Sequence, residues 1–146
     1  MSSVKDKIKE RELNGKSMKK VLFVCVGNSG RSQMAEAFFN HLAGGKAQAF
    51  SAGTNPATTI DPVVVELMKE VGIDISNKHP KKLTLDMLEQ ADKVVTMGCG
   101  VEQACPVTLM ETEDWGLEDP KGKSAEKISE IRDEIRKRVE KLLSEV

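Results

Sequence analysis

The first sustained apolar run in the chain is residues 21–24, Val-Leu-Phe-Val. With two β-branched members and one aromatic, it predicts a short buried strand. Cys25 follows it, and Gly27, Asn28, Ser29 and Gly30 predict a tight loop. From Arg31 the apolar positions Met34, Ala35, Ala37, Phe38, Leu42 and Ala43 fall at helical spacing until Gly44-Gly45, residues that tolerate φ > 0 and end the pattern. Residues 47–52 alternate loosely and lead to Gly53. They predict a second strand, parallel to the first because a helix carries the crossover. Asp61 as N-cap and Pro62 at the first helical position open a second helix, whose apolar face is Val64, Val65, Leu67, Met68 and Val71 and which Gly72 terminates.

The second half is more broken. His79-Pro80-Lys81-Lys82 is a basic connector that reads as a solvated loop. Residues 83–91 predict a short third helix with Leu85, Leu88 and Ala91 on one side, and residues 93–97 a third strand. Gly98-Cys99-Gly100 and Cys105-Pro106 follow in a loop, and residues 107–110 predict a fourth strand. Residues 110–119 then hold five acids, Glu111, Glu113, Asp114, Glu118 and Asp119, and no base. Ser124 caps a last helix with Ile128, Ile131, Ile135, Val139 and Leu142 on one face. Residues 1–18 read as an N-terminal extension, flexible or a short helix, because Val4, Ile8 and Leu13 are too widely spaced to cover a core. Residues 19–146 form the single domain. Alternating strands and helices predict an α/β fold, a three-layer α/β/α sandwich with a four-stranded parallel sheet. In such sheets ligands bind at the carboxyl ends of the strands, where Cys25, Cys99 and Asp119 all fall.

Charge and cysteine count narrow the chemistry. The 146 residues carry 22 basic and 23 acidic side chains, which argues against nucleic acid or an anionic membrane as the main partner. Neither a signal peptide nor an apolar run long enough to span a bilayer is visible, so a cytoplasmic protein is expected. Cys25, Cys99 and Cys105 are odd in number and lack CxxC spacing. This points to catalytic or redox thiols rather than a disulfide scaffold. Only His41 and His79 could complete a zinc site, and no metal is expected.

A strand feeding a glycine-bearing loop that opens onto a helix turns backbone N–H groups and the positive end of the helix dipole into one concavity, which suits a tetrahedral oxyanion. Residues Val26, Gly27, Asn28, Ser29, Gly30 and Arg31 are the candidate anion binders, with Cys25 at the floor. A cysteine attacks as thiolate, and N–H groups, a helix N-terminus and an arginine all favour that form. Arg31 offers a planar fork for two oxygens of the anion, Ser32 a hydroxyl for the sulfur, and Asn28 a residue that accepts a left-handed backbone and braces the loop. Expelling an oxygen requires a proton, for which Asp119 is the first candidate, with Asp114 and Glu118 as alternatives. Hydrolysis of a covalent intermediate needs only water, whereas reduction needs two electrons, which Cys99 and Cys105 can supply. The glycines on either side of Cys99 let its loop swing a second thiol toward Cys25.

These stretches resemble the thioredoxin-coupled arsenate reductases, which have the low-molecular-weight protein tyrosine phosphatase fold. The similarity runs from about Lys19 to the C-terminus. It is carried by VCVGNSGRSQMAEAF for the anion loop and its helix, SAGT for the second strand, VVTMGCG followed by ACPV for the redox segment and DWGLEDPKG for the acid loop. The resemblance implies that Cys25 attacks arsenate, that Arg31 and the loop amides bind it, that Ser32 assists the thiolate and that Asp119 protonates the leaving oxygen. It further implies that Cys99 attacks the Cys25 sulfur as arsenite leaves and that Cys105 attacks Cys99, giving a disulfide that thioredoxin reduces. Phosphate and sulfate would compete for the site, no cofactor would be tightly bound, and a monomer is expected. One departure stands out: Gly30 occupies a loop position where some relatives carry another cysteine. The rival reading is a low-molecular-weight phosphotyrosine phosphatase working through a Cys25 phosphoenzyme. Against it stand the two further cysteines and a chain without tyrosine, in which Trp115 alone is an aromatic near the acid.

Overall fold

The computed structural model describes residues 19–97 and 112–145. Among them are four strands, β1 Lys19–Cys25, β2 Ala47–Gly53, β3 Lys93–Thr96 and β4 Thr112–Asp114. Four helices accompany them, α1 Arg31–Ala43, α2 Pro62–Glu70, α3 Leu85–Gln90 and α4 Ala125–Glu145. The strands form one parallel sheet in the order β2-β1-β3-β4, with Cys25 opposite Gly53 and Val24 opposite both Ala52 and Thr96. β1 therefore has a strand on each edge and helices on both faces, which is why Val21 to Val24 can be continuously apolar and are fully buried.

Side chains along β1 alternate between two cores. Val21, Phe23 and Cys25 face a large cluster built with α1, α2 and α4, whereas Leu22 and Val24 join Leu88 and Ala91 from the α3 side. Phe23 anchors the larger core, edge-on to Phe39 at 6.0 Å and tilted against Trp115 at 5.5 Å. This is the expected three-layer α/β/α sandwich. Helix ends follow local chemistry: Gly44 closes α1 in the left-handed conformation at φ 57°, and the Asp61 carboxylate caps α2 through the Val63 N–H, with Pro62 as its first residue. Ser124 caps α4 through the Lys127 N–H at 3.1 Å.

Two elements depart from the sequence reading. The strand expected at residues 107–110 lies outside the described residues, and the fourth strand described is β4, inside the acidic run that reads as loop. Its charges are compatible with an edge strand: Glu113 pairs with Lys93 at 3.7 Å, and Asp114 accepts from the Thr96 hydroxyl at 2.8 Å. Helix α3 is shorter than residues 83–91, because Thr84 caps it through the Met87 N–H, and Leu85 is 67% exposed rather than sharing the buried side of Leu88. No helix among the described residues is long and apolar enough to cross a membrane.

Candidate active site

Cys25 ends β1 at the carboxyl edge of the sheet, where the chain turns through residues 26–30 into α1. The loop's carbonyls are taken from outside. Those of Cys25, Val26, Gly27 and Ser29 accept from the N–H groups of Thr54, Asn55, Ala57 and Asp61, and that of Gly30 from Met34 within α1. Carbonyl and N–H of one trans peptide point in opposite directions, so this pattern turns the N–H groups of the following residues to the inner side of the loop. The Asn28 N–H records the result directly, donating to Cys25 Sγ at 3.1 Å. Gly30, the N-cap of α1, provides no capping side chain, which leaves the helix N-terminus to face an anion.

Behind the loop a buried polar network fixes the sulfur. Ser32 Oγ lies 2.9 Å from Cys25 Sγ and accepts from Asn28 Nδ2 at 2.7 Å. Asn28, fully buried and at φ 51°, accepts on Oδ1 from Gln33 Nε2 at 3.0 Å and from the Lys81 N–H at 2.8 Å. Gln33 Nε2 also donates to the His79 carbonyl at 3.1 Å. The basic connector is thus no merely solvated loop: its backbone braces the anion loop, and Lys81 Nζ sits 3.7 Å from the buried Glu36 carboxylate. Gln33, His79 and Lys81 escape sequence reasoning, since two of the three act here through main-chain atoms that carry no residue signature.

Arg31, 4% exposed, spends one nitrogen on structure. Its Nη1 donates to the carbonyls of Met97 at 2.9 Å and Leu117 at 2.8 Å. Each carbonyl lies two residues before a group of interest, Cys99 and Asp119 respectively. Nη2 lies 3.8 Å from Asp119 Oδ2, and the Asp119 side chain is 62% exposed at the rim, with Oδ1 accepting from the Lys121 N–H at 2.9 Å. A cleft of about 500 Å³ is lined by Cys25, residues 26–31, Asp119 and Pro120 on one side and by Asn55, Pro56, Ala57 and Thr59 on the other. The structure therefore brings Cys25, Val26, Gly27, Asn28, Ser29, Gly30, Arg31 and Asp119 to one cavity, with Ser32 behind the sulfur. Cys99 and Cys105 lie outside the described residues. Of the alternative acids, Asp114 is engaged by Thr96, and Glu118 pairs with Lys123 at 3.6 Å. Trp115 is buried against Phe23 and contributes no wall to this cleft. It borders instead a second cleft of about 520 Å³, lined by Glu113, Asp114, Glu134, Lys137 and Arg138 among others, with no cysteine, serine or threonine among its described lining residues.

A thiol held by a backbone N–H and a serine hydroxyl beneath an oxyanion-shaped loop, with an arginine and a carboxylic acid at its mouth, defines a cysteine-based oxyanion enzyme. The chain belongs to the low molecular weight phosphotyrosine protein phosphatase family, whose model matches residues 20–146. Within it, the chain is 40% identical over 124 residues to an arsenate reductase of Staphylococcus epidermidis, covering 84% of this chain and 94% of that one. An arsenate reductase solved in its phosphate-binding state superposes with a TM-score of 0.81 at 39% identity, covering 88% of this chain and 99% of that one. The thioredoxin-dependent arsenate reductase of Corynebacterium glutamicum superposes with a TM-score of 0.76 at 40% identity, over 97% of this chain and 70% of that one.

Proposed function

We propose that this protein reduces arsenate to arsenite with electrons drawn from thioredoxin, and that Cys25, Cys99 and Cys105 carry them. The observation that carries this reading is the cleft itself: an inward-turned amide loop over Cys25 whose lining, among the described residues, contains no aromatic side chain to stack a phenyl ester. A bare tetrahedral oxyanion fits such a site. The relatives named as arsenate reductases, one of them thioredoxin-dependent, support the same substrate and reductant.

In the first step the Cys25 thiolate attacks arsenic while one As–O bond breaks, and the oxygen leaves as water with a proton from Asp119. Loop amides 26–31 and the Arg31 guanidinium hold the remaining oxygens, and Ser32 steadies the sulfur. Cys99 thiolate then attacks Cys25 Sγ. The S–S bond forms, the S–As bond breaks, and its electron pair stays on arsenic, which leaves as arsenite. Cys105 attacks Cys99 and frees Cys25, and a dithiol of thioredoxin reduces the Cys99–Cys105 disulfide. Residues 19–146 act as the single catalytic domain and residues 1–18 as an extension to it, in a monomer with no tightly bound cofactor.

The test is arsenate-dependent oxidation of NADPH through thioredoxin and thioredoxin reductase. Cys25→Ser and Cys105→Ser are each expected to abolish multiple turnover, and mass mapping after arsenate treatment is expected to find a Cys99–Cys105 bridge with Cys25 free. Full multiple turnover by Cys105→Ser would refute the relay. Hydrolysis of a phosphotyrosyl ester much faster than arsenate reduction would make the protein a phosphatase.

A further inference from the structure

Just after Asp119 the chain reverses over Pro120, Lys121, Gly122 and Lys123. The Lys123 N–H closes this turn on the Pro120 carbonyl at 3.0 Å, and Gly122 takes a left-handed corner at φ 76°. With no positive φ at Lys121, the turn is of type II and Lys121 is its first corner. The reversal aims the Lys121 N–H back at the preceding carboxylate, where it donates to Asp119 Oδ1 at 2.9 Å. That side chain is 62% exposed, and among the described residues this N–H is its one hydrogen-bond partner, since Arg31 Nη2 stands 3.8 Å from Oδ2. The terminal torsion of an aspartate is broad and roughly two-fold, so this bond decides which oxygen faces Arg31.

A backbone N–H can only donate, and in a neutral carboxyl the carbonyl oxygen is the better acceptor for it. We propose that the Lys121 main-chain N–H is a positioning group for proton delivery: it holds Asp119 Oδ1 as the carbonyl oxygen and leaves the acid proton on Oδ2, toward Arg31 and the bound anion. The proposal rests on Asp119 being the proton donor. In the step it serves, the bond from Cys25 Sγ to arsenic forms, an As–OH bond breaks, and the Oδ2 proton joins the departing hydroxyl as water. Asp119 is left as a carboxylate, and the oxidation state of arsenic does not change in this step. Because the donor is a main-chain group, the role belongs to position 121 rather than to lysine, and any residue except proline can fill it.

Proline suits the first corner of a type II turn, so Lys121→Pro removes the N–H and keeps the turn. Lys121→Ala loses the same side chain and keeps the N–H, so comparing the two isolates the bond. The experiment measures the first turnover, as arsenite released without thioredoxin, and the calorimetric affinity for inorganic phosphate. Both variants are made with Asp119 intact and in the Asp119→Asn background. Lys121→Pro is expected to turn over about 5- to 50-fold more slowly than Lys121→Ala, a part of the roughly 10²- to 10⁴-fold that general acid catalysis contributes. Their phosphate affinities should differ by less than about threefold, since no amide of the anion loop is lost. In the Asp119→Asn background the two rates should differ by less than about twofold, because groups acting through one another are non-additive. Lactic acid at position 121 in place of alanine exchanges the N–H for an ester oxygen and should reproduce the loss, which covers the case that Lys121→Pro folds poorly. Equal rates with alanine and lactic acid at position 121, a fall in phosphate affinity parallel to the rate, or a proline penalty that persists in Asp119→Asn would overturn the proposal. If Asp119→Asn alone turned over like the parent, the assignment of the proton donor would fail and the proposal with it. A parent that released no arsenite would refute the reductase reading on which both rest.

Discussion

The Lys81 main-chain N–H donates to Asn28 Oδ1 at 2.8 Å across 53 residues of sequence, and this bond fixes which way the Asn28 amide faces beneath the Cys25 sulfur. A backbone N–H can only donate, so the Asn28 oxygen must face it. The Asn28 amide nitrogen must then face Ser32, where it donates to Oγ at 2.7 Å. With Cys25 as thiolate, the Ser32 hydroxyl can only donate to Sγ, 2.9 Å away, where it joins the Asn28 N–H. Two donors converge on the sulfur, the arrangement a thiolate needs.

Ser32→Ala removes one of those donors. A hydrogen bond to a charged group contributes about 1.5–3 kcal/mol, so Cys25 alkylation by iodoacetamide and the first arsenate turnover are both expected to slow by about 10- to 100-fold. An alkylation rate equal to the parent's would mean that the hydroxyl proton points elsewhere.

Asn28 combines two demands that substitution can separate. Its backbone is left-handed at φ 51°, and its side chain satisfies three groups, the Lys81 N–H, the Gln33 amide and the Ser32 hydroxyl. Asn28→Ala forfeits both and is expected to lose about 2–4 kcal/mol in urea unfolding, since each buried polar group left unpaired costs about 1–3 kcal/mol. Asn28→Gly restores the backbone freedom alone and should recover about 1 kcal/mol of that loss. Equal losses in the two variants would show that the left-handed backbone contributes nothing.

The division between what could be read in the chain and what could not follows the range of the interactions. Cys25, Arg31 and Ser32 span eight residues and sit at a strand end, a loop and a helix start, so their joint role is written locally. Likewise the buried β1 run, the Gly44 stop and the Asp61-Pro62 cap each depend on neighbours in sequence. The bracing of Asn28 by Lys81 and the holding of the Leu117 and Met97 carbonyls by Arg31 depend on backbone atoms brought together by the sheet. No side-chain pattern announces them. β4 was hidden for another reason: its three residues include two acids, which an edge position tolerates and a strand pattern does not suggest.

Arg31→Lys replaces a fork by a point charge. Lysine cannot hold the Met97 and Leu117 carbonyls while also offering a second nitrogen to an anion beside Asp119. A ligand that binds only the folded protein stabilises it by about 2.7 kcal/mol at one hundred times its Kd, so phosphate at that level should raise the Tm of the parent by several degrees. Under the same conditions Arg31→Lys is expected to show little or no shift. A full phosphate shift in the variant would remove Arg31 from the binding site.

Gly53, the β2 partner of Cys25, is pressed against the anion loop from behind. A Cβ there would overlap the Val26 carbonyl oxygen and lie 3.0 Å from Asn28 Cβ and 3.1 Å from the Asn28 nitrogen. Relieving that overlap means moving the loop, including the Val26 carbonyl that accepts from the Asn55 N–H at 2.9 Å. Gly53→Ala is therefore expected to cost about 1–3 kcal/mol, the usual penalty for overpacking, and also to weaken phosphate binding at least tenfold. Gly72→Ala is the matched control: its backbone is left-handed at φ 84° and its Cβ would meet nothing within 4 Å. It should cost about 1 kcal/mol through the backbone alone and leave phosphate affinity unchanged. Calorimetry on the two variants separates the cases, and a Gly53→Ala protein that bound phosphate like the parent would show that the loop does not need β2 pressed against it to keep its amides turned inward.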